Sequence, residues 1–124
     1  MAGCTPRAER AMESLRAGEM LLLYGDNEGA IAAFDEAISL NPELAEAYLQ
    51  RGNAWFNLRD SDKAVDDYTT AVEVSPALAD AWFNRGNVWF FLKEYDKACA
   101  DWKKAEELGK PNVRDKTRFC PDAS

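Results

Sequence analysis

Apolar and small residues return along the chain at spacings of three and four, the period of a helix with one buried face. Ala30, Phe34, Ala37 and Ile38 fall on one such face, and Met12, Leu15, Leu21 and Leu22 mark an earlier helix. No stretch shows the strict alternation of a strand. Capping and breaking residues stand between the runs. Thr5-Pro6 suits a helix start, because Thr caps free N–H groups and Pro has no N–H to lose. Gly25-Asp26-Asn27, Arg59-Asp60-Ser61 and Lys93-Glu94 read as short turns, and Asn41-Pro42 and Ser75-Pro76 repeat the cap-plus-proline device. This punctuation predicts helices over about 6–23, 28–40, 43–58, 61–74, 77–92 and 95–108. Gly109 reads as a C-terminal cap with Pro111 beyond it. A short last helix is expected from Asn112 through Cys120, with Val113 and Phe119 as its apolar residues and Pro121 as its stop. Turns this short make each helix pair antiparallel.

The pattern is also periodic over a longer distance. Tyr48, Arg51, Gly52, Trp55, Ala64, Tyr68, Ala71 and Pro76 form one unit. A shift of 34 residues gives Gly86, Trp89, Ala98, Trp102 and Ala105, and the opposite shift gives Gly18, Ala30, Phe34, Ala37 and Pro42. A mid-helix Gly costs about 1 kcal/mol against Ala. Its recurrence implies close helix packing, with Ala30, Ala64 and Ala98 expected opposite and Ala37, Ala71 and Ala105 against the next unit. The motif resembles the tetratricopeptide repeat over 11–44, 45–78 and 79–112. Residues 1–10 then extend the first helix, and 113–124 form a C-terminal tail or short cap. The resemblance implies an all-α fold of three antiparallel helix-turn-helix repeats in a short right-handed superhelix.

Composition narrows the function. The chain has 124 residues, 47% of them hydrophobic and 30% charged, which suits one domain with a core. A net charge of −7 and a pI near 4.6 argue against nucleic acid and favour a basic or neutral partner. The three cysteines, Cys4, Cys99 and Cys120, are odd in number, include no CxxC pair and are accompanied by no His. Neither a disulfide framework nor a metal site is expected from that set, and Cys99 reads as a buried reduced thiol. Without His there is no Ser-His-Asp or Cys-His site, and neither a P-loop nor a calcium loop is seen. The expectation is no enzyme and no cofactor. Asp35-Glu36, Asp66-Asp67 and Glu106-Glu107 read as solvated convex faces, and Trp55, Trp82, Trp89 and Trp102 as core. No apolar run approaches about 18 residues, so no membrane span is expected and the location reads as cytoplasmic. The alternative is a bacterial lipoprotein, since Ala2-Gly3-Cys4 resembles the end of a lipoprotein signal with an acylated Cys4.

The resemblance further implies a concave groove lined by the first helix of each pair, used by an adaptor, a chaperone-like protein or an assembly factor. The groove-facing set begins with Met12, Leu15, Arg16, Glu19, Leu22 and Leu23. It continues with Glu46, Leu49, Gln50, Asn53, Phe56 and Asn57, then Asp80, Phe83, Asn84, Asn87, Phe90 and Phe91. The site expected to hold a peptide is Leu49, Asn53, Phe56, Asn57, Phe83, Asn84, Asn87, Phe90 and Phe91. Asn offers a donor and an acceptor to a peptide main chain, and Phe offers apolar pockets. A second placement stays open: Phe90 and Phe91 against the adjacent repeat, Asn53 and Asn87 as framework. Glu46 and Asp80 on the rim favour a protein or peptide ligand with apolar anchors and a basic flank. Co-chaperones of this family clamp a C-terminal carboxylate with Lys, Arg and Asn. This chain has Leu15, Glu19, Gln50, Asp80 and Asn84 at those positions, which departs from that pattern throughout. The alternative function is a self-associating scaffold joined through Lys103 to Phe119, with a second copy of the chain as partner.

Overall fold

The computed structural model describes residues 6–121. Seven helices follow one another: α1 (Arg7–Leu23), α2 (Asn27–Leu40), α3 (Ala45–Asn57), α4 (Ser61–Val74), α5 (Ala79–Phe91), α6 (Tyr95–Glu107) and α7 (Arg114–Thr117). The fold is an all-α helical repeat, and among the described residues no strand occurs. The Asp26 side chain accepts from the Gly29 N–H and Asp60 from the Lys63 N–H, so α2 and α4 start on carboxylate caps. Asn41-Pro42 and Ser75-Pro76 do not cap the following helices. Each makes a turn, and α3 and α5 begin three residues beyond the proline, after Leu44 and Leu78. Tyr48 and Trp82 pin these turns by donating to the Pro42 and Pro76 carbonyls. Thr5 lies outside the described residues.

α1 packs on α2, α3 on α4 and α5 on α6, with α2–α3 and α4–α5 joining the pairs. The recurring glycines make the close approaches. A Cβ at Gly18 would meet Phe34, one at Gly52 would stand 2.7 Å from Tyr68, and one at Gly86 would stand 2.6 Å from Trp102. The residue facing each glycine is thus chiefly the aromatic ring four positions beyond the expected alanine. Ala30, Ala64 and Ala98 are fully buried beside it.

Asp67, expected on a solvated face, is buried, and so is its counterpart 34 positions on, Asp101. Asp67 and Asp101 are 6% and 5% exposed. Arg51 donates from Nε and Nη2 to the two Asp67 oxygens, both at 2.8 Å, and from Nη1 to Asp35 of the preceding pair. Arg85 does the same to Asp101 and reaches Thr69 behind it. The fork of a guanidinium explains why a buried carboxylate is tolerated there. These hydrogen bonds to Asp67 raise the Arg51 pKa above its ordinary value against the opposing effect of burial, and Asp35 raises it further. Trp102 is core, whereas Trp55, Trp82 and Trp89 are half-buried. Lys63 lies over the Trp55 ring at 4.3 Å and Lys97 over Trp89 at 4.4 Å.

The C-terminal end departs most from expectation. Val113 is 1% exposed and plugs the last pair, but Phe119 is 78% exposed and Asn112 takes a positive φ instead of capping. Cys99 is not a free thiol: it forms a disulfide with Cys120. Residue types and spacing gave no sign of this pairing, because α7 and its turn bring Cys120 back onto α6.

Candidate peptide-binding groove

α3 touches both α1 and α5, whereas α2, α4 and α6 do not meet one another. The first helices of the pairs therefore crowd together on the inner face and the second helices splay outward, which makes α1, α3 and α5 the concave side.

A hydrogen-bonded string crosses this face. Asn53 Oδ1 accepts from the Tyr68 hydroxyl and from Asn84 Nδ2 at 2.9 Å. Asn53 Nδ2 donates to Gln50, and Gln50 donates to Glu46, both at 3.1 Å. One pair further on, the Trp102 indole N–H donates to Asn87 Oδ1 at 3.0 Å. Asn57 Nδ2 donates to Asn27 Oδ1. Burial, and secondarily the Asp67 charge, push the Tyr68 hydroxyl up from its ordinary range, so it remains a neutral donor. Among the described residues, no partner is found for the Asn87 amide nitrogen, the Asn84 oxygen or the Asn57 oxygen. Asn53 thus orders the face, and the other three keep unused hydrogen-bonding capacity.

Asn53, Phe56, Asn57, Tyr68, Asn84 and Asn87 line a hollow of about 300 Å³. Beside it, Phe56, Asn57, Arg59 and Phe91 line another of about 230 Å³, with Phe91 meeting Phe56 edge-on at 5.6 Å. Six of the nine residues expected in the site therefore come together. Three do not. Leu49 is 2% exposed and packs with Tyr68, Val72 and Val88, because its turn of α3 faces the core. Phe83 packs into the last core cluster and is roofed by Lys110 at 4.9 Å. Phe90 turns away toward α6. Tyr68 and Arg59 join the site unforeseen. Tyr68 belongs to the repeating unit and its ring is core, and only its hydroxyl reaches through to the groove.

The acidic rim also narrows. Asp80 forms an ion pair with Lys110 at 2.6 Å. Glu19 is the group left under tension. Burial raises its pKa first, the Glu46 charge raises it further, and Arg16 opposes them. Among the described residues, Arg59 is the sole cation lining either hollow.

Sequence comparisons agree with this architecture. A TPR repeat model matches residues 18–58, and tetratricopeptide repeat models match 45–78 and 79–112. The chain is a tetratricopeptide-repeat protein. The family consists of protein-interaction modules that are in general not catalytic. The first TPR of Spaghetti (RPAP3), solved with the HSP90 peptide SRMEEVD, is similar at 21% identity and a TM-score of 0.85 over 90% of both chains. The Arabidopsis OM64 TPR domain is 25% identical with a TM-score of 0.84, covering 90% of this chain and 97% of that one. MamA is 26% identical with a TM-score of 0.76, over 80% of this tetratricopeptide-repeat chain and 58% of MamA. Among curated proteins, none matches. No helix among the described residues is long and apolar enough to cross a membrane.

Proposed function

We propose that this tetratricopeptide-repeat protein is a peptide-binding adaptor whose ligand lies on the concave face against α3 and α5. The observation that carries the reading is the Phe56–Phe91 pair standing beside asparagines with unused hydrogen-bonding groups. Exposed aromatic surface is unfavourable in water, where burying such a side chain contributes about 1.5–3 kcal/mol. Neutral amides match the main chain of an internal peptide segment better than they match a terminal carboxylate. The RPAP3 structure holds an acidic peptide; here Glu19 and Glu46 oppose one and favour a basic flank at the α1 end of the groove.

Catalysis and nucleic-acid binding are not part of this proposal. Of the two locations expected from the sequence, the Cys99–Cys120 disulfide supports the second, because such bonds persist in oxidising compartments. Cys4, which would carry the lipid there, lies outside the described residues; metabolic labelling with an alkyne fatty acid, with Cys4→Ser as control, tests it. For the groove, the test is binding of a fluorescent peptide with two lysines at one end and leucine anchors at the other. Phe91→Ala with Asn57→Ala is expected to weaken it while helix content stays unchanged; equal binding by both proteins would refute the groove. Self-association through the C-terminal end finds support in the exposed Phe119. Light scattering at increasing concentration separates the two readings.

A further inference from the structure

Phe90 and Phe91 are neighbours in α5, yet they serve different hollows. Phe91 meets Phe56 over the groove, whereas the Phe90 ring lies 5.3 Å from Tyr95 and 5.5 Å from Trp102. These three rings, with Phe119, the Cys99–Cys120 disulfide, Asp115 and Lys116, line a hollow of about 300 Å³. Its lining is mainly aromatic carbon and sulfur. Phe90 and Tyr95 are each 53% exposed and Phe119 is 78% exposed, so these rings keep an open face to solvent even though Phe90 packs on Tyr95 and on buried Trp102. An apolar cavity of about 150 Å³ already admits benzene, so this one has room for a larger ring.

The outer wall of the hollow is weakly built. α7 has four residues, too few to hold itself as a helix. Its near end is fixed by buried Val113. Along its length the ties to α6 are thin: Arg114, with its side chain 86% exposed, pairs with Glu106 at 3.4 Å, buried Thr117 reaches Glu106 at 3.5 Å, and Lys116 lies over the Trp102 ring at 5.1 Å. At the far end two links act: the disulfide, and a hydrogen bond from Lys103 to the Pro121 carbonyl. Of the ties that hold Phe119 and Cys120 against α6, the bond to Cys99 is the covalent one; the others are hydrogen bonds at Thr117, Cys120 and Pro121.

We propose that this hollow is a binding site for one bulky apolar side chain, aromatic or branched, and that the Cys99–Cys120 disulfide switches it. The occupant is an anchor of the same peptide that lies in the groove, because Trp102, which lines this hollow, donates to Asn87, which lines the groove, so the two hollows are neighbours. That choice of occupant rests on the peptide-binding reading; the hollow and its switch do not. The switching reagent is a dithiol. One of its thiolates attacks a sulfur of the Cys99–Cys120 bond and releases the other as a thiolate. Its second thiol then closes the mixed disulfide. Two electrons pass to the protein, which ends with two protonated thiols, and the reagent leaves as a cyclic disulfide. Residues 118–121 then lose their covalent tie to α6, the wall opens, and affinity falls.

Indole is the probe, titrated into the isotope-labelled full chain and followed through backbone amide shifts. The oxidised protein is expected to show saturable shifts confined to the neighbourhood of Phe90, Tyr95, Cys99, Trp102 and Phe119. Dithiothreitol is expected to weaken binding about tenfold or more. Cys120→Ser should resemble the reduced protein with or without the reagent, and Phe90→Ala should lose indole with the disulfide intact. Circular dichroism on each variant keeps loss of binding apart from loss of fold. Equal indole binding before and after reduction would overturn the switch. Shifts spread over α1 and α3, or no saturable shift, would overturn the site. Line broadening with a concentration-dependent mass would mean that a second copy fills the hollow, and would overturn the peptide as occupant. Indole binding alongside failure of every groove peptide leaves this hollow standing and removes the groove reading; the converse result does the reverse.

Discussion

Gly52→Ala sets two physical effects of opposite sign against each other. By helix propensity alone the change stabilises α3 by about 1 kcal/mol. The structure predicts the reverse. The new Cβ would stand 2.7 Å from Tyr68 Cε1 and 2.9 Å from Cδ1. Contact between carbons is comfortable at about 3.5–4.0 Å, so the ring must retreat by most of an ångström. It is poorly placed to do so, being 1% exposed and tied through its hydroxyl to Asn53. Overpacking of this kind costs about 1–3 kcal/mol, and a strained or lost hydrogen bond adds about 1 kcal/mol. After subtracting the propensity gain, a net loss of about 1–3 kcal/mol remains. Thermal unfolding followed at 222 nm should show Tm lower by several degrees, at about 2–8 °C per kcal/mol for domains around this size. A Tm that is unchanged or higher would refute the packing argument. The amide signals of Asn53 and Asn84 should move as well, because the retreat of Tyr68 disturbs the string in the groove.

The remaining predictions concern turns and charges. Arg59 and Lys93 occupy left-handed backbone at φ 65°, where the first pair has Gly25; Arg59→Gly and Lys93→Gly should each raise stability by about 1 kcal/mol in urea unfolding. Asp101→Ala leaves Arg85 half-buried without its forked partner and should destabilise by about 3 kcal/mol, whereas Asp35→Ala at an exposed carboxylate should cost at most about 1 kcal/mol. The folded state raises the Glu19 pKa, so its stabilising share is present below the unfolded carboxylate pKa and is lost as pH rises through the folded value. Glu19→Gln should therefore raise Tm at neutral pH and make no difference in acid; a pH-independent effect would contradict that linkage.

Much of the fold was readable in one dimension because its determinants are periodic. The small residues at Gly18, Gly52 and Gly86 and the aromatics at Phe34, Tyr68 and Trp102 recur with the helices they join, and the turns at Asp26 and Asp60 sit where the pattern placed them, each carboxylate capping the helix that follows. What escaped depends on which side chains meet across neighbouring helices. The burial of Asp67 and Asp101 follows from an arginine sixteen positions earlier in sequence, on the adjacent helix. The Cys99–Cys120 bond depends on the path of the chain after Gly109, where the repeat ends. Within the groove, facing positions were assigned by helix period, which cannot tell Leu49, turned to the core, from Asn53 one turn on. Nor does it tell which of the adjacent Phe90 and Phe91 follows α6 and which follows α3.

The most direct test of the central claim is an amide-shift map of the labelled protein titrated in parallel with the lysine-flanked, leucine-anchored peptide and with SRMEEVD. The account predicts saturable shifts from the first peptide at Phe56, Asn57, Asn84, Asn87 and Phe91, weakening as pH falls through the Glu19 titration, and much weaker binding of the acidic peptide. Shifts from the first peptide confined to α2, α4 and α6, or tighter binding of SRMEEVD, would contradict it.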